Sequence, residues 1–168
     1  MRLDGLADGR LPHGDADDAD VVDLYLRLVR RLRKLHEDEP LVIVGHEYGR
    51  RNIMAGHFRR AFPEAWPWRT DRPYGGVQRG GEPITYFWVV GPGVEAGELR
   101  RLLREIVRDE ALTVVLAPSS FTWLFYPFGQ AGDLAVVDRW RFDLVLAEFE
   151  AWVCHHDDVP DDGFPPGA

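Results

Sequence analysis

Three apolar runs and one helical stripe follow one another between Leu112 and Val153, divided only by two short polar loops. Leu112–Leu116 is apolar but for Thr113 and reads as a strand buried on both faces. Phe121–Tyr126 alternates, with Phe121, Trp123 and Phe125 on one side and Thr122, Leu124 and Tyr126 on the other. Leu134–Val137 is the third run. The loops Ala117-Pro118-Ser119-Ser120 and Gly129-Gln130-Ala131-Gly132 are built from turn-forming residues. Strands joined by loops this short must double back, so the block predicts an antiparallel meander. From Trp140 to His155, Phe142, Val145, Leu146, Phe149, Trp152 and Val153 recur at helical spacing. The block is structurally complete and carries no convergent set of catalytic groups.

Upstream, Val21, Leu24, Tyr25, Leu28, Val29, Leu32 and Leu35 define the apolar stripe of a helix. Asp17 or Asp20 can cap it, and Arg30, Arg31, Arg33 and Lys34 lie near its end, where the helix dipole favours cations. Pro40 closes it. Leu41–Val44 reads as a short buried strand and Gly45–Gly49 as a turn, followed by a helix over 51–62 stopped by Pro63. Residues 63–83 hold four prolines and four glycines, which predicts an irregular segment. Ile84–Val90 is a second buried strand, and Leu99, Leu102, Leu103, Ile106 and Val107 form another helical stripe. Strand, helix and strand in that order, from Ile84 to Leu116, predict a parallel crossover. The fold class is therefore α/β (α+β), with one globular domain over 17–156. Its sheet is expected to be mixed and five-stranded, to end in the antiparallel three-strand meander, and to be packed by about four helices. Residues 1–16 and the acidic segment 157–168 are expected to be mobile tails.

Composition narrows the function classes. An apolar fraction of 45% and a charged fraction of 29% are those of a globular protein, and the one cysteine, Cys154, allows no intrachain disulfide. No apolar run approaches the ~20 residues of a membrane span, and no secretory h-region is present, so a cytoplasmic location is expected. The net charge of −8 argues against general nucleic-acid binding, but it is unevenly distributed. Residues 1–23 carry −5 and residues 143–168 carry −7, whereas residues 50–79 carry +5. A surface polarised in this way can steer a charged partner; it also fits an ordinary solvated surface in a chain whose only lysine is Lys34.

The stretch Trp123-Leu124-Phe125-Tyr126-Pro127-Phe128-Gly129-Gln130-Ala131-Gly132-Asp133-Leu134 resembles the closing motif of a bacterial domain-of-unknown-function family. Its actinobacterial members carry Trp-Leu-Tyr-His-Pro-Tyr-Asp-Gly-Gly-Ala-Asp-Val there, and then a helix with a Trp near its end, which Trp152 matches. The resemblance covers roughly residues 84–153. This chain has Gly129-Gln130-Ala131-Gly132 where the family has Asp-Gly-Gly-Ala, so its turn must differ. The family has no established reaction, and the resemblance implies fold more than function.

The most site-like segment is Gly45-His46-Glu47-Tyr48-Gly49-Arg50-Arg51-Asn52, because α/β proteins place ligands where strands end. His46 offers a base, Glu47 an acid, and Arg50 and Arg51 an anion clamp at a helix start. The segment is neither a nucleophile elbow nor a P-loop, and His46 and His57, eleven apart, fit no zinc helix. A polar turn with surface arginines is the simpler account of it. Cys154-His155-His156-Asp157-Asp158 has metal-like composition, but adjacent helical residues diverge by ~100° and cannot converge on one ion. Ser119 and Ser120 read as turn residues. Trp66-Pro67-Trp68, flanked by Arg69 and Arg72, is either a cover over the core or an exposed partner surface, since Trp and Arg dominate binding hot spots.

No residue set is assigned as catalytic or metal-binding, and no cofactor is expected. The leading expectation is a non-enzymatic protein-binding domain, by analogy of size and acidity an immunity-type inhibitor of a basic toxin or effector. The alternatives are a small enzyme for a phosphate- or carboxylate-bearing substrate at His46, Glu47, Arg50 and Arg51, and nucleic-acid binding through the Arg- and Trp-rich 50–79 segment.

Overall fold

The computed structural model describes residues 2–4, 17–49, 58, 62–71, 84–91, 93–108 and 113–153. Seven strands form one sheet: β1 (Arg2–Asp4), β2 (Leu41–Gly49), β3 (Trp66–Asp71), β4 (Ile84–Val90), β5 (Thr113–Pro118), β6 (Trp123–Phe128) and β7 (Ala131–Val136). The described helices are α1 (Asp18–Leu35), α2 (Ala96–Arg108) and α3 (Arg139–Phe149), the last continued by a 3-10 turn, Glu150–Trp152. The strand order is β1-β7-β6-β5-β2-β4-β3, and every neighbouring pair is antiparallel.

The helices form where the apolar stripes lie. Asp17 caps α1, its carboxylate accepting the Ala19 N–H at 3.2 Å, and Asp18, Asp20, Arg33 and Lys34 sit at the dipole ends that suit their charges. Val21, Leu24, Tyr25, Leu28, Val29 and Leu32 are all buried. At the start of α2, Glu98 reaches back to accept the Glu95 N–H at 3.0 Å, one half of a capping box. Its predicted stripe, Leu99, Leu102, Leu103, Ile106 and Val107, is buried throughout.

All of this apolar surface meets one face of the sheet. Leu41, Ile43, Val90, Val114, Leu116, Trp123, Phe125, Leu134 and Val136 share a single core with α1, α2, Val145 and Phe149 of α3, and Phe58 and Phe62. The Tyr25 hydroxyl ties α1 to the β6–β7 hairpin, donating toward the carbonyls of Ala131 at 2.5 Å and Gly129 at 3.2 Å. That hairpin turns on Gly129 and Gln130, and the φ of +50° at Gly129 is one that glycine adopts without strain.

Several expectations are corrected. Among the described residues every strand pairing is antiparallel where a mixed sheet was expected, and the sheet has seven strands where five were expected. β4 and β5 do run parallel to each other, but β2 lies between them and pairs with both, so the crossover spans an occupied position. Gly45–Gly49 is no turn; it continues β2. Gly45 is a packing glycine, with the ring of Phe58 only 2.4 Å from where a Cβ would stand. Residues 66–71 are an edge strand with a bulge between Pro67 and Arg69, where an irregular segment was expected. Arg2–Asp4, placed by sequence in a tail, pairs with β7. Phe121 precedes its strand, has a φ of +55°, and is exposed. α3 is shorter than predicted, and of its expected buried residues only Val145 and Phe149 are fully buried, with Phe142, Leu146, Trp152 and Val153 half-buried. Of the helix expected over 51–62, Phe58 is helical and its carbonyl accepts the Phe62 N–H at 2.9 Å; most of its other residues lie outside the described ones, as do 5–16 and 157–168.

Candidate binding face

Alternation along β2 sends Leu41, Ile43 and Gly45 to the helices and Val42, Val44 and His46 to the opposite face. Cross-strand register extends that second face in both directions. His46 stands opposite Phe87 of β4 and Thr113 of β5, and Val44 opposite Val89 and Val115. On β6, Leu124, Tyr126 and Phe128 alternate with the buried Trp123 and Phe125. Among the described residues no helix packs on this face: Val44, Val89 and Ala117 are buried but are not part of the core shared with the helices.

β3 completes the face at its edge. Trp66 is opposite Val89, and Arg69 opposite Phe87. The bulge brings Trp68 to the same side, where its ring meets Phe87 edge-on at 6.4 Å between centroids. His46 lies 6.0 Å from Phe87 on the other flank. Trp66 and Trp68 are 46% and 58% exposed, so neither ring is buried in the core. Pro67, which has no N–H to offer, and the bulge both make β3 a poor template for further strand pairing.

Two candidate groups that are separate in sequence therefore meet. His46 and the Trp66, Trp68 and Arg69 set share one face through Phe87. Burial lowers the His46 pKa below the ordinary histidine value. Glu47 is in β2, paired with Tyr86, but its side chain lies outside the described residues, as do Arg50, Arg51 and Arg72. Cys154–Asp158 also lie outside them; among the described residues no group of three or more His, Cys, Asp or Glu is placed to hold a metal ion. No described helix is long and apolar enough to cross a membrane.

One polar cluster escaped the sequence. Glu39 accepts from the Ser119 hydroxyl at 3.1 Å, the Ser120 N–H at 3.0 Å and the Ser120 hydroxyl at 2.9 Å. Ser120 Oγ is 3.1 Å from Thr122 Oγ1, which is 2.9 Å from Nδ1 of His36, itself only 3% exposed. The Ser120 hydroxyl bond, foremost, pulls the Glu39 pKa down. Burial, aided by nearby Arg141, pulls the His36 pKa down. The chain resembles a nucleophile relay only in composition. The carboxylate binds the serines and not the imidazole, and the second ring nitrogen, Nε2, is buried without a hydrogen-bond partner. Its physical effect is to tie the β5–β6 turn to the end of α1. Only Ser119 and Ser120 had drawn notice; nothing in the sequence spacing links them to Glu39.

A second exposed apolar strip also went unpredicted. Trp140 and Leu144 are exposed on α3, Val137 is exposed just before it, and Phe121 is close by, since the Val137 N–H donates to the Thr122 carbonyl at 3.0 Å. No protein-family model, curated protein or solved structure matches the chain.

Proposed function

We propose that this chain is a non-enzymatic protein-binding domain whose partner docks on the sheet face opposite the helices. The observation that carries it is the row Trp66, Trp68, Phe87 and His46, continued by the half-buried Val115, Tyr126 and Phe128 and the exposed Leu124. An antiparallel sheet can leave one face to water, but such a face is normally polar. Here it is aromatic and aliphatic, with two tryptophans and an arginine at its rim, the composition of an interface centre. The resemblance of residues 123–134 to a family without an established reaction is compatible with this. So is the charge of −8, which would favour a basic partner such as a toxin or effector, in a complex that weakens with salt.

The enzymatic alternative loses its geometric motive. It needed His46 in a turn at a strand end; His46 lies within β2. Nucleic-acid binding shares the exposed tryptophans, but the net charge opposes it.

Capture from the source lysate by tagged protein, at low and high salt, tests the proposal. Wild type is expected to retain one stoichiometric protein that Trp66→Ser/Trp68→Ser loses while keeping its thermal midpoint. Loss on Trp140→Ser instead would move the interface to α3 and refute the sheet face. Equal capture by wild type and both variants would refute it too.

A further inference from the structure

On the helical side of the molecule, opposite the sheet face, α1 carries Arg27, Arg30, Arg31 and Lys34 at positions i, i+3, i+4 and i+7. With Arg33, Asp38 and Glu148 of α3 they line a shallow cleft of about 340 Å³. Five cations face two acids there, a local charge of +3 on a chain of net charge −8. The helix dipole accounts for Arg33 and Lys34 in the last turn. It does not account for Arg27, two turns earlier, because the dipole's influence fades within one turn. Like charges three or four residues apart destabilise a helix, by about 0.2–0.5 kcal/mol per pair. Arg27 makes such pairs with Arg30 and Arg31, Arg30 with Arg33 and Lys34, and Arg31 with Lys34.

The cleft is also partly pre-arranged. Arg27 is held over the Trp152 ring, its guanidinium carbon 4.9 Å from the centroid. Arg31 Nε lies 2.7 Å from a Glu148 oxygen, although its N–H is not directed there, and the Nε of both Arg31 and Arg33 are buried without an acceptor. Arg33 reaches the Asp38 carbonyl at 3.5 Å. Arg30 and Lys34 are exposed and have no ion pair within the described structure. Holding three guanidiniums before a ligand arrives reduces the ordering cost of binding.

We propose that this cleft binds a ligand bearing a chain of phosphate groups. The cationic row runs about 10 Å along the helix axis, from seven residues at ~1.5 Å rise. That suits a linear polyanion better than a single carboxylate, and guanidinium forks pair with phosphate oxygens in two-point contacts. The proposal is independent of the sheet-face partner.

Isothermal titration of the full chain with inorganic tripolyphosphate, at low salt, tests it. The expected result is saturable one-to-one binding that weakens as salt rises. Arg30→Ala/Lys34→Ala should weaken it about tenfold or more, through loss of charge-assisted contacts. It should not lower the thermal midpoint, because like-charge pairs are removed. Arg104→Ala/Arg108→Ala makes the same charge change on the exposed side of α2 and should leave affinity within about twofold. A parallel titration with adenosine triphosphate separates sources: equal affinity means the phosphate chain alone is recognised, and tighter binding means a nucleoside is recognised as well. No saturable binding, or equal losses from the two double variants, would overturn the proposal.

Discussion

Gly45 has no side chain, and the Phe58 ring occupies the space one would fill. Gly45→Ala should therefore cost about 1–3 kcal/mol through overpacking. Phe58→Leu, damaging alone, should cost less in the Gly45→Ala background than in wild type, because the smaller side chain vacates the clash. Urea midpoints of the four proteins give the coupling, and strictly additive losses would show that the ring and the glycine are not in contact. His36 shapes the pH response. Its folded pKa lies below the ordinary 6.5, chiefly through burial, so below that pH the unfolded chain binds the proton first. The stabilisation is complete above about pH 6.5 and is lost as pH falls toward the folded value; His46, shifted the same way, adds to this slope. The depressed Glu39 carboxyl acts lower, where stability is lost as pH falls below about 4.5. Unfolding free energies between pH 7.5 and 5, approximate limits set by these pKa values, should fall less steeply for His36→Gln than for wild type. Parallel curves would assign the slope elsewhere. Neither residue's role was visible in the sequence: Gly45 read as a turn glycine, and nothing in the spacing connected His36 to Thr122.

At the scale of elements, α1 is joined to the rest by the buried Tyr25 hydroxyl and by surface ion pairs. The Tyr25 hydroxyl reaches the β6–β7 turn from beside Phe125, its ring edge-on at 5.3 Å. Tyr25→Phe should cost about 1–2 kcal/mol, since the carbonyls it serves lose their donor in a partly water-free site. Arg108→Ala removes only an exposed ion pair with Asp18 and should change stability by less than about 0.5 kcal/mol. Chemical denaturation of both variants checks the contrast, and an equal effect would mean that the tyrosine bond carries little. Long apolar stripes made α1 and α2 legible from sequence, and short loops made the meander legible. β3 was not, because Pro67 and the bulge at Trp68 break the alternation by which strands are read. The bulge is also what turns Trp68 toward Phe87, so the irregularity that hid the strand is the one that builds the candidate face.

Across the whole molecule, sequence periodicity separates core-facing from outward residues but says nothing of strand order. Local pattern gives the direction of β4 relative to β5; that β2 sits between them depends on contacts between residues far apart in the chain. For the same reason no run of residues announced that His46 and Trp68 share a face. The strand order also governs how the molecule can be assembled during synthesis. Leu41 of β2 pairs with Pro118 of β5, and Arg2 of β1 with Asp133 of β7. A chain leaving the ribosome exposes β2 long before β5 exists, and β1 long before β7. Closing such distant pairs slows folding, and an apolar strand waiting beside an empty position invites pairing with the wrong neighbour. The interval between emergence of β2 and emergence of β5 is thus the stage at which this protein most needs dilution or a chaperone.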